Sequence, residues 1–208
     1  MPKLATVLKT FFSKPDTDRF AALPRPIDPA DYERPALDGS GVPVSEIPLN
    51  GTKADASPAK WAPRMLGASR EPLADSFFDM RGVWEVYEGR MKGTVQRIEQ
   101  AGNRVTITVG GLVHDMFCDG TLANGVDDVG GFGGDRIRVA ASIENGVHKL
   151  RPGAKKLVMV TRKLSEDGET LLWRYGPTMN KARRLTEVPL DHPATRAAFE
   201  AVANEAQA

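Results

Sequence analysis

Five glycine-containing pairs, Gly102-Asn103, Asp119-Gly120, Asn124-Gly125, Asn145-Gly146 and Asp167-Gly168, separate short runs rich in Val, Ile and Thr. Each pair offers a residue that accepts positive φ, which tight hairpin turns demand. The runs between them predict strands near residues 83–89, 92–99, 104–109, 112–118, 136–143, 147–150, 156–163, 170–175 and 183–188. Most of the gaps are too short for a crossover helix, so a parallel α/β sheet is excluded. An antiparallel sheet with this many strands removes its reactive edges by closing on itself. The expected fold class is therefore all-β, an antiparallel up-and-down barrel.

The chain before the barrel is of another kind. Eleven of the fifteen prolines precede residue 80, and proline fixes φ while withholding a ladder donor. An extended arm is expected from Lys14 to about Asp75. Tyr32, Ile47, Leu49, Trp61, Met65 and Leu66 are scattered along it as isolated anchors, able to wrap the arm over its own domain or a neighbour. In front of the arm, Leu4, Val7, Leu8, Phe11 and Phe12 recur at helical spacing and predict an N-terminal amphipathic helix. Its apolar stripe would pack on its own domain or a partner, with a membrane surface as the weaker alternative. At the far end Asp191 is a candidate N-cap, Pro193 sits in a first turn, and an alanine-rich run carries Phe199 and Val202, which predicts a C-terminal helix. The expected domain plan is residues 1–75 for the N-terminal helix and Pro-rich arm, and residues 76–208 for the barrel with its C-terminal helix.

Composition narrows the function. The 208 residues, 41% of them hydrophobic, suffice for one domain with an extension. With 28 basic against 27 acidic side chains there is no global field to recruit nucleic acid. The single cysteine, Cys118, excludes an internal disulfide framework and a multi-cysteine zinc site, and fits a reducing, cytoplasmic setting. No run approaches the roughly 20 apolar residues of a transmembrane helix. The opening MPKLATVLKTFFSK is interrupted by Lys9 and lacks a small-residue cleavage pattern, so it reads as mature protein rather than as a signal peptide.

In SFFDMRGVWEVYEG, the residues Phe78-Asp79, Gly82 and Trp84 at the start of the first long strand resemble the Gly-x-Trp signature of the calycins, the superfamily of lipocalins, fatty-acid-binding proteins and avidin-like barrels. The resemblance spans roughly residues 77 to 205. It implies that the tryptophan closes the barrel floor beneath an arginine from a late strand, for which Arg174 and Arg183 are the candidates. It also implies a small hydrophobic or amphiphilic ligand inside the barrel.

Strand alternation then distributes the candidate lining. Trp84, Val86, Glu88 and Arg90 share one side, which puts Trp84 inward, Val86 deep, and Glu88 and Arg90 near the mouth. In GLVHDMFCDG, His114, Met116 and Cys118 share a face, with His114 able to change charge near neutral pH. A metal or haem site would need further donors, and His148 and His192 lie in unrelated places, so no metal and no cofactor is expected. The expected ligand-binding residues are Trp84, Val86, Glu88, Arg90, His114, Met116 and Arg174. NGVDDVGGFGGDR lacks the spacing of a calcium or phosphate loop and reads as a mobile loop at the rim. The basic run around Lys181, Arg183 and Arg184, joined by Arg174, is a solvated face or a clamp for a carboxylate or an acidic partner.

The leading expectation is binding of a small hydrophobic or amphiphilic molecule. One alternative is an accessory subunit that docks on a larger assembly through residues 1–75, its barrel filled by its own side chains. A second is a small barrel enzyme of the isomerase, cyclase or decarboxylase type, with Glu88 and His114 as acid and base. The pattern carries no signal for an oligomeric state.

Overall fold

The computed structural model describes residues 28–50, 52–54, 61–109, 112–129, 136–153 and 156–187, with the single positions 200 and 204. Its strands are β1 (Thr52–Ala54), β2 (Gly82–Glu88), β3 (Val95–Ala101), β4 (Arg104–Val109), β5 (Leu112–Phe117), β6 (Val126–Val129), β7 (Arg136–Glu144), β8 (Val147–Pro152), β9 (Val160–Leu164), β10 (Thr170–Tyr175) and β11 (Thr178–Leu185). All ladders are antiparallel, and the order β1-β5-β4-β3-β2-β11-β10-β9-β8-β7-β6 joins the first long strand to the last. Ten strands, β2 to β11, thus form a nearly closed up-and-down barrel whose seam lies between β5 and β6. At one end the seam is stapled by the β5–β6 connection, where the Phe117 amide donates to the Asn124 carbonyl, the Gly120 amide donates to the Ala141 carbonyl, and Asp119 bridges to Ser142. β1 pairs with the free edge of β5.

The turn chemistry explains the hairpins. Asn145 and Gly146, at φ 51° and 68°, have the double positive φ that suits the twist of two joined strands. The hairpins at Gly102 and Gly168 use a single positive-φ glycine each, at 54° and 76°. β1 and β6 lie outside the expected strands, and β11 begins at Thr178 rather than near residue 183.

The terminal helices expected as part of the fold class must be corrected. Among the described residues the longest helical stretch is the four-residue 3-10 turn Pro29–Tyr32, followed by Val44–Glu46. The N-terminal helix was expected over residues that lie outside those described, as was nearly all of the C-terminal one. From Asp28 to Glu187 the described fold is all-β apart from those two short turns.

The described part of the arm crosses the outer wall of β2 to β5. Tyr32 packs with Val83 and Val95, flanked by Trp61 and Leu185. Arg97 on β3 donates to the Asp31 carboxylate (2.6 Å) and the Ala62 carbonyl (2.6 Å). Arg104 on β4 makes a two-pronged pair with Asp115 on β5 and donates to the carbonyls of Val44, Ile47 and Pro48 in the arm. Glu99 accepts from the Leu66 amide. These contacts explain why every residue of β3 and β4 is buried, although β3 has only Val95, Ile98 and Ala101 as apolar residues and β4 only alternate ones. The inner faces of the strands meet in one apolar cluster that includes Trp84, Ile98, Ile107, Met116, Val139, Val160 and Leu171.

Candidate functional site

One end of the barrel is closed from the sequence upward. Phe77, Phe78 and Met80 pack against the core, and Gln100 holds this segment by accepting from the Met80 amide and donating to the Phe78 carbonyl. Trp84 is fully buried and donates its indole N–H to the Met80 carbonyl (2.8 Å). The guanidinium of Arg184 lies 4.1 Å from the Trp84 ring centroid and donates to the Arg81 carbonyl. The stack also accounts for Gly82. At φ +126° with Arg184 Nη1 only 2.9 Å from where a Cβ would stand, a side chain there would displace the arginine. Burial and the nearby Arg34 push the Arg184 pKa down to about 10. The arginine across the ring is thus Arg184, neither Arg174 nor Arg183. Arg183 pairs with Glu85 on the outer wall. Arg174 donates to the Val158 carbonyl and alternates with Trp173 and Tyr175, on the other face.

Above this floor a polar row crosses the inner wall. His148, Arg162, Trp173 and Asn180 stand directly opposite one another on β8, β9, β10 and β11. Their neighbours two residues away, Leu150, Val160 and Leu171, belong to the inner cluster, which fixes the row on the same face. Asn180 is satisfied, accepting from the Met91 amide and donating to the Trp173 carbonyl. It also explains Gly89, whose Cβ would fall 2.6 Å from Asn180 Oδ1. The other three differ. Both ring nitrogens of His148, Nε and Nη1 of Arg162 and the indole nitrogen of Trp173 are buried without a hydrogen-bond partner among the described residues. So are both amide atoms of Gln96, opposite Trp84 in the ladder.

Arg162 is only 5% exposed and lies over the Trp173 ring at 5.1 Å, while Trp173 meets Tyr175 edge-on at 6.0 Å. Burial pushes the Arg162 pKa down to about 10. Desolvation and the Arg162 charge push His148 down to about 3 and His114 to about 4. His114 is therefore neutral at physiological pH, and the expected switch near neutrality does not arise.

Of the remaining expected residues, Val86 and Met116 line the inner cluster beside Trp84. His114 lies on β5 in register with Ile107 of that cluster. Glu88 does not join them. A register shift between Lys181 and Ala182 turns the strand end, so Glu88 is 58% exposed and paired with Lys181 on the outer wall. It is not brought together with His114. Arg90 is half-buried in the turn between β2 and β3. Cys118 packs against the core, and burial beside Asp119 raises its thiol pKa. The glycine-rich rim loop at residues 130–135 lies outside the described residues. Among those described, no cluster of His, Cys, Asp or Glu could hold a metal ion, and no helix is long and apolar enough to cross a membrane.

A concavity of about 40 Å³ lies between arm and barrel beside Arg64, Arg70 and Arg81. Each of these arginines donates to main-chain carbonyls, so the cleft is part of the arm's attachment.

Sequence reasoning missed Arg162, Trp173, His148 and Gln96 as lining. A signal was present: each sits two residues from an apolar residue on its strand, which marks an inward polar position rather than a solvated one. No protein-family model, curated protein or solved structure matches the chain.

Proposed function

We propose that the barrel binds a small amphiphilic molecule in its interior, with the polar end of the ligand at the His148–Arg162–Trp173 row and its apolar body against Met116, Val139, Met159 and their neighbours. One observation carries this reading. A single inner wall gathers unpartnered polar atoms from three adjacent strands, and buried polar groups in folded proteins are otherwise nearly always hydrogen-bonded. Leaving a guanidinium buried without acceptors costs several kcal/mol. A fold keeps such a group where something besides the chain completes it.

The calycin resemblance supports the same reading, because Gly82, Trp84 and a late-strand arginine form the stack that it implies. The arm uses Tyr32, Val44 and Leu66 on its own barrel, which weakens the accessory-subunit alternative. The enzyme alternative loses its acid–base pair with Glu88 on the outside.

Native mass spectrometry of the protein purified from its own host without detergent tests the proposal. A single small molecule, lost on denaturation, is the expected finding. A bare polypeptide mass in that preparation would overturn it.

A further inference from the structure

We propose that two copies of this chain exchange arms: the reversal at Asp75-Ser76 opens, and the arm of each copy closes over the β3–β5 wall of the other. The wall is incomplete without an arm. Bare, it would expose Val83 and Val95, which Tyr32 covers, and leave the edge of β5 unpaired. The arm is held largely through its main chain. Arg104 donates to the carbonyls of Val44, Ile47 and Pro48, and Arg97 to that of Ala62. In return Glu99 and Asp115 accept from the Leu66 and Asn50 amides. None of these contacts requires arm and wall to belong to one polypeptide. They require a segment with this spacing of anchors, and a second copy carries it.

The covalent tie between arm and barrel is short and exposed. On the arm side the Ala74 amide donates to the Gly102 carbonyl. On the barrel side Phe77 and Phe78 pack against the core, and the Met80 amide donates to Gln100. Between these anchors stand only Asp75 and Ser76, both exposed. Ser76 makes the reversal at φ 71°, where the Phe77 amide reaches back to the Ala74 carbonyl. The other non-glycine at positive φ among the described residues is Asn145, a residue type that visits the left-handed region far more readily than serine. Extending Ser76 removes this strain at the loss of one turn hydrogen bond and disturbs no packed side chain. The closed and the exchanged forms then share their arm–barrel contacts, so that the hinge and the chain concentration decide between them. Strain in a short hinge favours exchange. This association is independent of what the barrel interior holds.

The full chain is refolded from urea at about 1 mM, the order of the effective concentration a short link supplies, and its mass is read by light scattering after size separation. The wild type should give a discrete dimer beside the monomer. Ser76→Gly, which accepts positive φ freely, should lower the dimer fraction about fivefold. Ser76→Pro, whose ring fixes φ near about −65°, cannot make the reversal and should be dimeric at every concentration. A disulfide reports which chain the arm comes from. Lys53 and Val113 are direct partners in the β1–β5 ladder, so Lys53→Cys with Val113→Cys in a Cys118→Ala background places two thiols within bridging reach. Oxidation should link the two chains in the dimer fraction and close within one chain in the monomer fraction. A wild type that stays monomeric after refolding overturns the exchange, whether or not Ser76→Pro folds. A dimer whose bridges close within single chains overturns it as well, by showing another interface. A dimer fraction unchanged in Ser76→Gly overturns the role of the hinge.

Discussion

The arm-covered wall, β3 to β5, and the opposite wall, β8 to β11, which the described part of the arm does not cross, each bury an arginine, and the chain treats the two in opposite ways. On the covered wall Arg104 points outward, meets Asp115 and three arm carbonyls, and is fully enclosed by the protein's own groups. On the wall from β8 to β11 the outer face is half-buried among the described residues, and the buried arginine is instead inside, against Trp173 and two neutral histidines. The difference teaches that burial alone does not assign a role. A buried charge whose lone pairs and protons are all matched holds the fold together, whereas one left unmatched on the inner wall is the feature on which the proposed ligand site rests.

The largest effect is expected on the covered wall. Asp115→Ala removes the carboxylate bonded to a fully buried Arg104 and should cost about 3–5 kcal/mol in urea denaturation. A smaller loss would mean that the arm carbonyls suffice by themselves.

Acid tests the other wall. His148 has a folded pKa near 3, below its ordinary value of 6.5, so the unfolded chain binds more protons between those values. Its contribution to stability is complete above about pH 6.5 and falls as pH drops toward the folded pKa, by up to about 1.4 kcal/mol per pH unit. Half-buried His114 acts in the same direction with a smaller weight. His148→Phe should flatten the dependence of unfolding free energy on pH between about 6.5 and 4. An unchanged slope would show that the ring is solvated.

Removing the floor stack should have a more modest consequence. Arg184→Ala loses the ring contact with Trp84 and the bond to the Arg81 carbonyl, worth about 1–2 kcal/mol by thermal unfolding. The smallest effect is expected at Glu88, which faces solvent beside Lys181. Glu88→Gln should leave both the melting temperature and ligand affinity where they are, and a loss of affinity would place the strand end inside after all.

Much of the barrel is legible in the chain because its turns are chemically marked. Strands 104–109, 112–117, 136–144 and 170–175 end where glycine or asparagine permits reversal. β6 is obscured because its centre is Asp127-Asp128, and the start of β11 because Thr178 and Asn180 look like loop residues. The covered wall misleads in another way. Arg97, Glu99, Arg104 and Thr106 have the polarity of a solvated face, and the arm, distant in sequence, buries them. Trp84 could be assigned inward from alternation because β2 is regular as far as Val86. The same rule fails at Glu88, because β2 carries an extra residue, Tyr87, between the partners of Lys181 and Ala182. The polar row is marked only locally, by the apolar residues two positions away on each strand. Its residues come from four hairpin-linked strands, and only the registers of three ladders bring them into line.

The central contrast can be measured in a single pair of denaturation curves, those of Arg104→Met and Arg162→Met against the wild type without added ligand. Arg104→Met should lose about 3 kcal/mol or more, while Arg162→Met should be as stable as the wild type or more so, since a well-packed apolar side chain replaces an unmatched buried charge. A loss at Arg162→Met as large as that at Arg104→Met would contradict the account, because it would make Arg162 a structural residue and the inner row a part of the fold rather than a place for a ligand.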